Sequence, residues 1–387
     1  MGWTKYLIIG IILSFPVAAY AQENSFAAAD SSTKALYDTQ QWDRLVSAGN
    51  DYIKHGVDFP LLYVRMGYAE MNLGDYATAI NDFEKVSKAD AYNQTARYNL
   101  YLCNRWLNRD ANALYHQSFI DSTTLKTKSI SVDNLNFESS FKIAENGDRG
   151  NAFYSRAGVS IALFKKLQLD QSVSWFKQFI YLYRLNPSKV GWFADQQSEY
   201  SVSPQLAVSN DLVLFGGYHY MRTDFNSLKY NSNVGTFGLS YSKSKISLEG
   251  ELDFGNVLST KFTQYDARFG FYPLGNLNLY FIAAPAVHQE DSKHQFIYNQ
   301  VAGFKALRSL WLEACAVFGN QDNYIDGRGL YVYNAYDKTK LRLGEIAYYQ
   351  FGAHALAQIS YTYEKKEDEQ LKRYNQHSIT AGIQWKF

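Results

Sequence analysis

Cysteine and proline are scarce in this sequence, and neither sign of charge dominates it. Two cysteines in 387 residues, Cys103 and Cys315, are too few for a disulfide framework or a cysteine-ligated zinc site. Each is expected to be a small buried or lipid-facing residue rather than half of a bridge. Only 6 prolines are present, where a usage of about 5% would give roughly 19. Proline lacks the N–H that a β-ladder needs, so the shortage suits a chain built of strands. Lysine and arginine total 38 against 37 acidic residues, a net charge of +1. That leaves no basic field for nucleic acid or acidic substrates. Beyond the first 21 residues no apolar run approaches the roughly 18 residues of a membrane-spanning helix.

Aromatic side chains are in excess. The 32 Tyr, 25 Phe and 7 Trp make 17% of the chain, too many for a disordered protein and well suited to pleated surfaces and membrane interfaces. At the N-terminus Lys5 precedes an apolar run from Tyr6 to Val17, and Ala19-Tyr20-Ala21 has the small-x-small pattern of a signal-peptidase site. Cleavage is expected after Ala21, leaving a mature tail over 22–31. No cysteine stands at the junction, so no lipid anchor is expected. Export makes cytoplasmic cofactor chemistry an unsuitable role.

Residues 32–120 carry apolar positions at helical spacing. A 34-residue period aligns Leu45, Ala79 and Ala113, then Val46, Ile80 and Leu114, then Tyr52, Val86 and Ile120. The middle copy runs from Pro60 through Gly67, Gly74-Asp75-Tyr76, Ala79-Ile80 and Phe83 and resembles the tetratricopeptide family. The resemblance implies that Gly67 and Ala79 let two antiparallel helices approach, packed by Phe83, with the turn at Gly74. Glu70 and Ala91 depart from the family pattern, and the outer copies are degenerate, so about two and a half repeats are expected. Such an array suits a partner-binding groove.

After a polar linker over 121–131, alternating segments recur from 132 to 387. Ile246, Leu248, Gly250, Leu252 and Phe254 alternate with Ser247, Glu249, Glu251 and Asp253. A soluble sandwich would not need aromatic outer faces repeated so often. An antiparallel transmembrane barrel, apolar toward lipid and polar toward its lumen, does. About fourteen strands are expected, within a range of twelve to sixteen. Short turns are expected near 165, 210, 243, 275, 308 and 351, alternating with longer polar loops near 145–150, 185–196, 223–230, 255–260, 288–294, 320–338 and 365–371. Pro204 and Pro285 fall inside expected strands and should mark a bulge or a strand end. In the last strand Ile379, Ala381, Ile383, Trp385 and Phe387 share one face. This ending resembles the signal read by the barrel-assembly machinery, with Ile383, Trp385 and Phe387 as its core.

The order of leader, helical repeats, barrel and terminal Phe resembles the YaiO-like outer-membrane β-barrel family of Gram-negative bacteria. More distantly, it is similar to polysaccharide exporters with periplasmic helical repeats. The resemblance implies a barrel in outer-membrane lipid with its repeats in the periplasm, and no catalytic residue comes with it. There is no His-Glu-x-x-His, no Gly-x-Ser-x-Gly and no phosphate-binding Gly loop. His288 and His294 flank Glu290 and Asp291 in an expected outer loop, better read as solvated than as a metal site. His219 should face the lumen.

No enzyme activity, cofactor or metal is expected. Charged candidates for the lumen are Arg156, Glu249, Glu251, Asp253, Asp266, Arg268, Lys340 and Arg342. The acidic row would favour cations if water were continuous, although bulky Tyr and paired charges argue for a crowded interior. The expected role is an anchored scaffold that recruits a periplasmic or outer-membrane protein for assembly, secretion or export. The alternatives are a channel for saccharides or ions and, third, a barrel-borne hydrolase.

Overall fold

The computed structural model describes residues 25–126, 128–183, 191–291 and 293–387. The leader expected over 1–21 and its cleavage position lie outside the described residues. Six helices come first: α1 (Phe26–Asp38), α2 (Trp42–Lys54), α3 (Pro60–Leu73), α4 (Tyr76–Ala89), α5 (Gln94–Trp106) and α6 (Asp110–Gln117). α1, α3 and α5 start 34 residues apart, and so do α2, α4 and α6. The period is therefore three helix pairs, and the first begins at Phe26, ahead of the expected boundary at 32.

Local chemistry sets these ends. Pro60 opens α3 where its missing N–H has no partner to lose. Gly74 closes α3 in the left-handed conformation, φ +83°. Asp75 then caps α4 by accepting from the Thr78 N–H at 3.0 Å. At Gly67 a Cβ would lie 2.8 Å from the Phe83 ring, so glycine here is what lets α3 and α4 pack. Phe83, Ala79, Leu100 and Cys103 form the dry core of this region.

The barrel strands are β1 (Ile130–Ala144), β2 (Arg149–Leu163), β3 (Leu167–Leu182), β4 (Gly191–Ala207), β5 (Leu212–Phe225), β6 (Leu228–Lys243), β7 (Ile246–Val257) and β8 (Thr260–Phe271). They continue as β9 (Leu279–Glu290), β10 (Lys293–Leu307) and β11 (Leu310–Phe318). A small hairpin of β12 (Tyr324–Asp326) and β13 (Tyr331–Tyr333) follows, then β14 (Lys338–Phe351), β15 (Ala355–Glu367) and β16 (Arg373–Lys386). Apart from that hairpin the strands close into one antiparallel barrel of fourteen, with β16 against β1. Leu135 faces Trp385 and Phe137 faces Ile383 across the closure, and the Phe387 N–H donates to the Asp133 carbonyl at 3.0 Å.

Large apolar side chains point outward around the barrel. Trp385 is 47% and Phe387 63% exposed, and Phe141, Phe237, Tyr265, Phe281 and Ile359 are similarly bare. A surface so continuously apolar is not that of a protein bathed in water. No described helix is long and apolar enough to cross a membrane.

Three expectations about connections are corrected. The polar segments 223–230 and 255–260 are not long loops: the ladder runs through them to turns at Asn226-Ser227 (φ 48° and 69°) and Leu258-Ser259 (φ 47° and 75°). Segment 288–294 also belongs mostly to strands, because β9 ends at Glu290 and β10 begins at Lys293. Polar composition there marks strand ends that stand in water, where backbone pairing can still continue. Among the described connections, 319–337 remains the long one.

Pro204 and Pro285 lie inside β4 and β9. Each pairs on one side, with Leu169 and Tyr298 respectively, and on the other side the ladder skips that position without changing register. That is where an absent N–H costs least.

Candidate functional site: a divided lumen

The long connection does not stay outside. It folds back into the barrel as the β12–β13 hairpin and reaches toward the end that carries the short turns. Gln264 of β8 clamps it in both directions, donating to the Ile325 carbonyl at 2.7 Å and accepting from the Ile325 N–H at 3.1 Å. Gln197 of β4 donates to the Asn334 carbonyl at 2.8 Å. His219 Nδ1 lies 2.9 Å from the Gly329 carbonyl, and its Nε2 lies 3.2 Å from Glu199. At the root of the connection Arg149 holds Asp337 through Nε and Nη2 at 2.5 and 2.9 Å, and Tyr374 donates to the same carboxylate at 2.7 Å.

Apolar packing fixes the hairpin to one wall. Ile325 packs with Met221, Val234, Val257 and Phe262, and Tyr324 with Ala286, Ile297 and Val317. Burying a side chain such as Ile325 stabilises by about 1.5–3 kcal/mol. His288 belongs to this wall. It is stacked on Phe262 with ring centroids 5.1 Å apart, its Nδ1 is 3.1 Å from Gln264 Oε1, and it does not sit in an outer loop as expected.

Seven of the eight expected lumenal charges meet the hairpin or lie in one group beside it. Glu249 pairs with Arg328 at 2.5 Å and lies 3.9 Å from Arg268. Arg268 and Arg342 each lie 3.6 Å from Asp326. Arg342 also stacks over Tyr333 at 4.1 Å. Arg156 donates to Glu138 at 3.0 Å and sits over the Tyr331 ring at 5.1 Å. Asp253 is fully buried and accepts from Thr236 at 2.5 Å. Asp266 accepts from Gln264 at 2.8 Å, and Glu251 faces Asp266 across the β7–β8 ladder. Lys340 is the exception. It sits at a register shift between Thr339 and Leu341, 3.4 Å from Glu367 at the rim, because the bulge takes it out of the alternation.

The hairpin supplies partners that alternation could not reveal: Asp326, Arg328, Tyr331 and Asp337. One signal was present. Segment 319–337 alternates aromatic and aliphatic residues (Tyr324, Ile325, Leu330, Val332) with three glycines, unlike a solvated loop.

The other side of the hairpin is hollow. A cavity of about 670 Å3 runs along β14–β16 and β1–β3, with Lys142, Arg156, Arg342 and Lys366 set against Glu138, Glu199, Glu313, Asp326 and Glu364, a near balance of charge. The acidic row of β7 does not line it. Toward the short-turn end a second cavity of about 320 Å3 follows, and Asn136, Arg156 and Gln384 belong to the walls of both. Cys315 lines the larger cavity rather than facing lipid. Among the described residues no cluster of His, Cys, Asp and Glu could hold a metal ion.

The helical region packs on the short-turn end. Lys243 pairs with Glu84 and, at 3.1 Å, with Asp211. Lys245 pairs with Asp75 at 2.7 Å. The Ala77 N–H donates to the Gly275 carbonyl at 2.9 Å, and Asn276 donates to the Gly74 carbonyl at 2.7 Å. Behind this interface, burial and the nearby Asp82 push the Glu70 carboxyl up to about 8. Burial likewise pushes Asp82 up to about 6.

No protein-family model matches the chain, and no curated protein does. Among solved structures it is similar in outline to a bacterial polysaccharide outer membrane secretin, at 11% identity and TM-score 0.42, covering 66% of this chain and 98% of that one. A Pseudomonas aeruginosa FadL homologue aligns at 9% identity and TM-score 0.45, covering 76% and 94%. OmpF of Salmonella typhi, in complex with daunomycin, aligns at 10% and 0.37, covering 66% and 98%. Likenesses this distant assign no activity, and the class of this barrel rests on its own closed strand order and apolar exterior.

Proposed function

We propose that the chain is an integral outer-membrane barrel that passes small polar solutes along a narrow route beside its hairpin, with the helical repeats at the periplasmic mouth. The observation that carries this is the pair of cavities with charged and amide side chains in their walls, which share Asn136, Arg156 and Gln384. Walls of nearly balanced charge suit polar solutes and leave little preference for either ion sign. The leader and the aromatic terminal strand support export and insertion by the barrel-assembly machinery. The spacing of the helix pairs supports a tetratricopeptide-like array, and the whole arrangement suits a YaiO-like chain. No nucleic acid, cofactor or catalytic step enters this reading. Planar-bilayer recording tests it: purified mature protein should give small, stable conductance steps, and persistent silence would sink the route.

A scaffold role is the second reading. Leu61 and Trp106 on the helices and Tyr92 in the turn between α4 and α5 stand exposed and suit an as yet unidentified periplasmic or outer-membrane protein. Cross-linking from exposed helix positions tests it through recovery of one reproducible partner.

A further inference from the structure

The smaller cavity lies where the helical cap meets the barrel. At about 320 Å3 it falls within the range of ordinary small-ligand pockets, about 300–1,000 Å3. Carboxamides make much of its wall: Asn108 from the turn before α6, Asn134 and Asn136 from β1, Gln168 from β3, Gln205 from β4 and Gln384 from β16.

The charges beside these amides already have partners. Arg328 donates to Gln205 at 2.6 Å and pairs with Glu249, and Arg156 is held by Glu138. Asp170 accepts from Gln205 at 2.7 Å, and Asp110 accepts from Arg105 at 2.7 Å. What is left open is neutral. Gln168 is 2% exposed, and its Oε1 meets no donor among the protein groups, nor does Asn136 Oδ1. A buried acceptor without a donor is costly. A wall that offers two is complementary to a neutral molecule rich in O–H groups. Gly158 of β2 fits the same purpose: a Cβ there would stand 2.6 Å from Asn136 Oδ1, so glycine leaves that amide its place. Leu330 of the hairpin provides a small apolar stretch of wall for the C–H face of a sugar ring.

We propose that this junctional cavity binds a neutral, hydroxyl-rich ligand of the saccharide class, with its O–H groups donating to Gln168 and Asn136 and with Asn108 closing the site from the helical cap. The proposal deepens the passage reading by naming its solute, and rests on that reading only for the ligand's route to the site.

Titration calorimetry on the full mature protein, in a detergent without a sugar headgroup, tests it. The probes are maltotriose and cellotriose, with potassium chloride and calcium chloride as controls for a cation bound by the same oxygens. At least one trisaccharide should bind saturably. Gln168→Leu and Gly158→Ala should each weaken it tenfold or more, with strand content by circular dichroism unchanged. Should either variant fail to fold, Asn108→Gly removes a lining amide outside the barrel and tolerates the local φ of +54°; it should weaken binding at least threefold. No saturable binding of either trisaccharide, calcium binding in place of sugar binding, or undiminished affinity in the folded variants would each overturn the proposal. Conductance without sugar binding would leave the passage standing and remove this site. Sugar binding without conductance would do the reverse.

Discussion

The wall from β5 to β10 and the wall from β14 round to β3 enclose one lumen with the same alternation of residues, yet one is filled and the other hollow. On the first, Met221, Val234, Phe262 and Ile297 turn apolar groups inward against Tyr324 and Ile325. On the second, many inward positions are charged or amide-bearing, and the hairpin meets them only through polar contacts such as Tyr331 with Glu138 and Asp326 with Arg342, which leave open space between. A lumen need not be open or closed as a whole. Placing one apolar hairpin edge against one wall is enough to set where water can run.

Removing the hairpin should break this contrast most severely. Replacing 320–336 with a short Gly/Ser turn should enlarge bilayer conductance several-fold and make the two walls equally accessible. Arg328→Ala is milder. It leaves Glu249 with only the distant Arg268, costs about 1–3 kcal/mol of hairpin anchoring, and should appear as flickering between two conductance levels.

The terminal strand tests the outer face in the same way. Trp385→Ala combined with loss of Phe387 removes two exposed aromatics beside the closure and should sharply reduce assembled barrel, read as heat-modifiable protein in the outer membrane. Gln384→Ser, on the lumenal side, should leave assembly nearly unchanged. Equal losses would contradict the register.

A smaller effect concerns the cap. The Glu70 carboxyl is raised from 4.5 to about 8 by burial, so the folded state holds its proton more tightly than the unfolded chain does. Stability of α3 and α4 should therefore be greatest below pH 4.5 and decline as pH rises toward 8, by roughly 5 kcal/mol at most. Hydrogen exchange in these helices at pH 5 and 8, corrected for intrinsic rates, should show that loss, and Glu70→Gln should remove most of it. The smallest expected effect is in ion selectivity: a potassium chloride gradient should give a reversal potential near zero, because the acidic β7 row faces the hairpin rather than the open cavity.

Much of this barrel was legible in its residues. Alternation such as that over 246–254 encodes which side of a strand meets lipid, and the strand needs only its neighbours to express it. The 34-residue period was legible for the same reason, since each helix pair repeats local contacts. The hairpin was not. Arg328 meets Glu249 and Arg149 meets Asp337 across long stretches of sequence, and polarity alone reads such a segment as a loop in water. Lys340 was misplaced because a bulge shifts phase without a compositional mark, and Cys315 was left open between a buried and a lipid-facing place because a small apolar residue fits either face of a strand.

Cys315 provides the most direct test of the hollow wall. It lines the larger cavity, whereas Cys103 is buried in the helical core, where burial pushes its thiol up to about 12. A charged, membrane-impermeant methanethiosulfonate applied to the folded native protein should label Cys315 alone, by mass spectrometry of its peptides, and should lower the conductance recorded in a planar bilayer. An unlabelled Cys315 in protein that conducts, or a labelled one with current unchanged, would contradict a polar route along this wall.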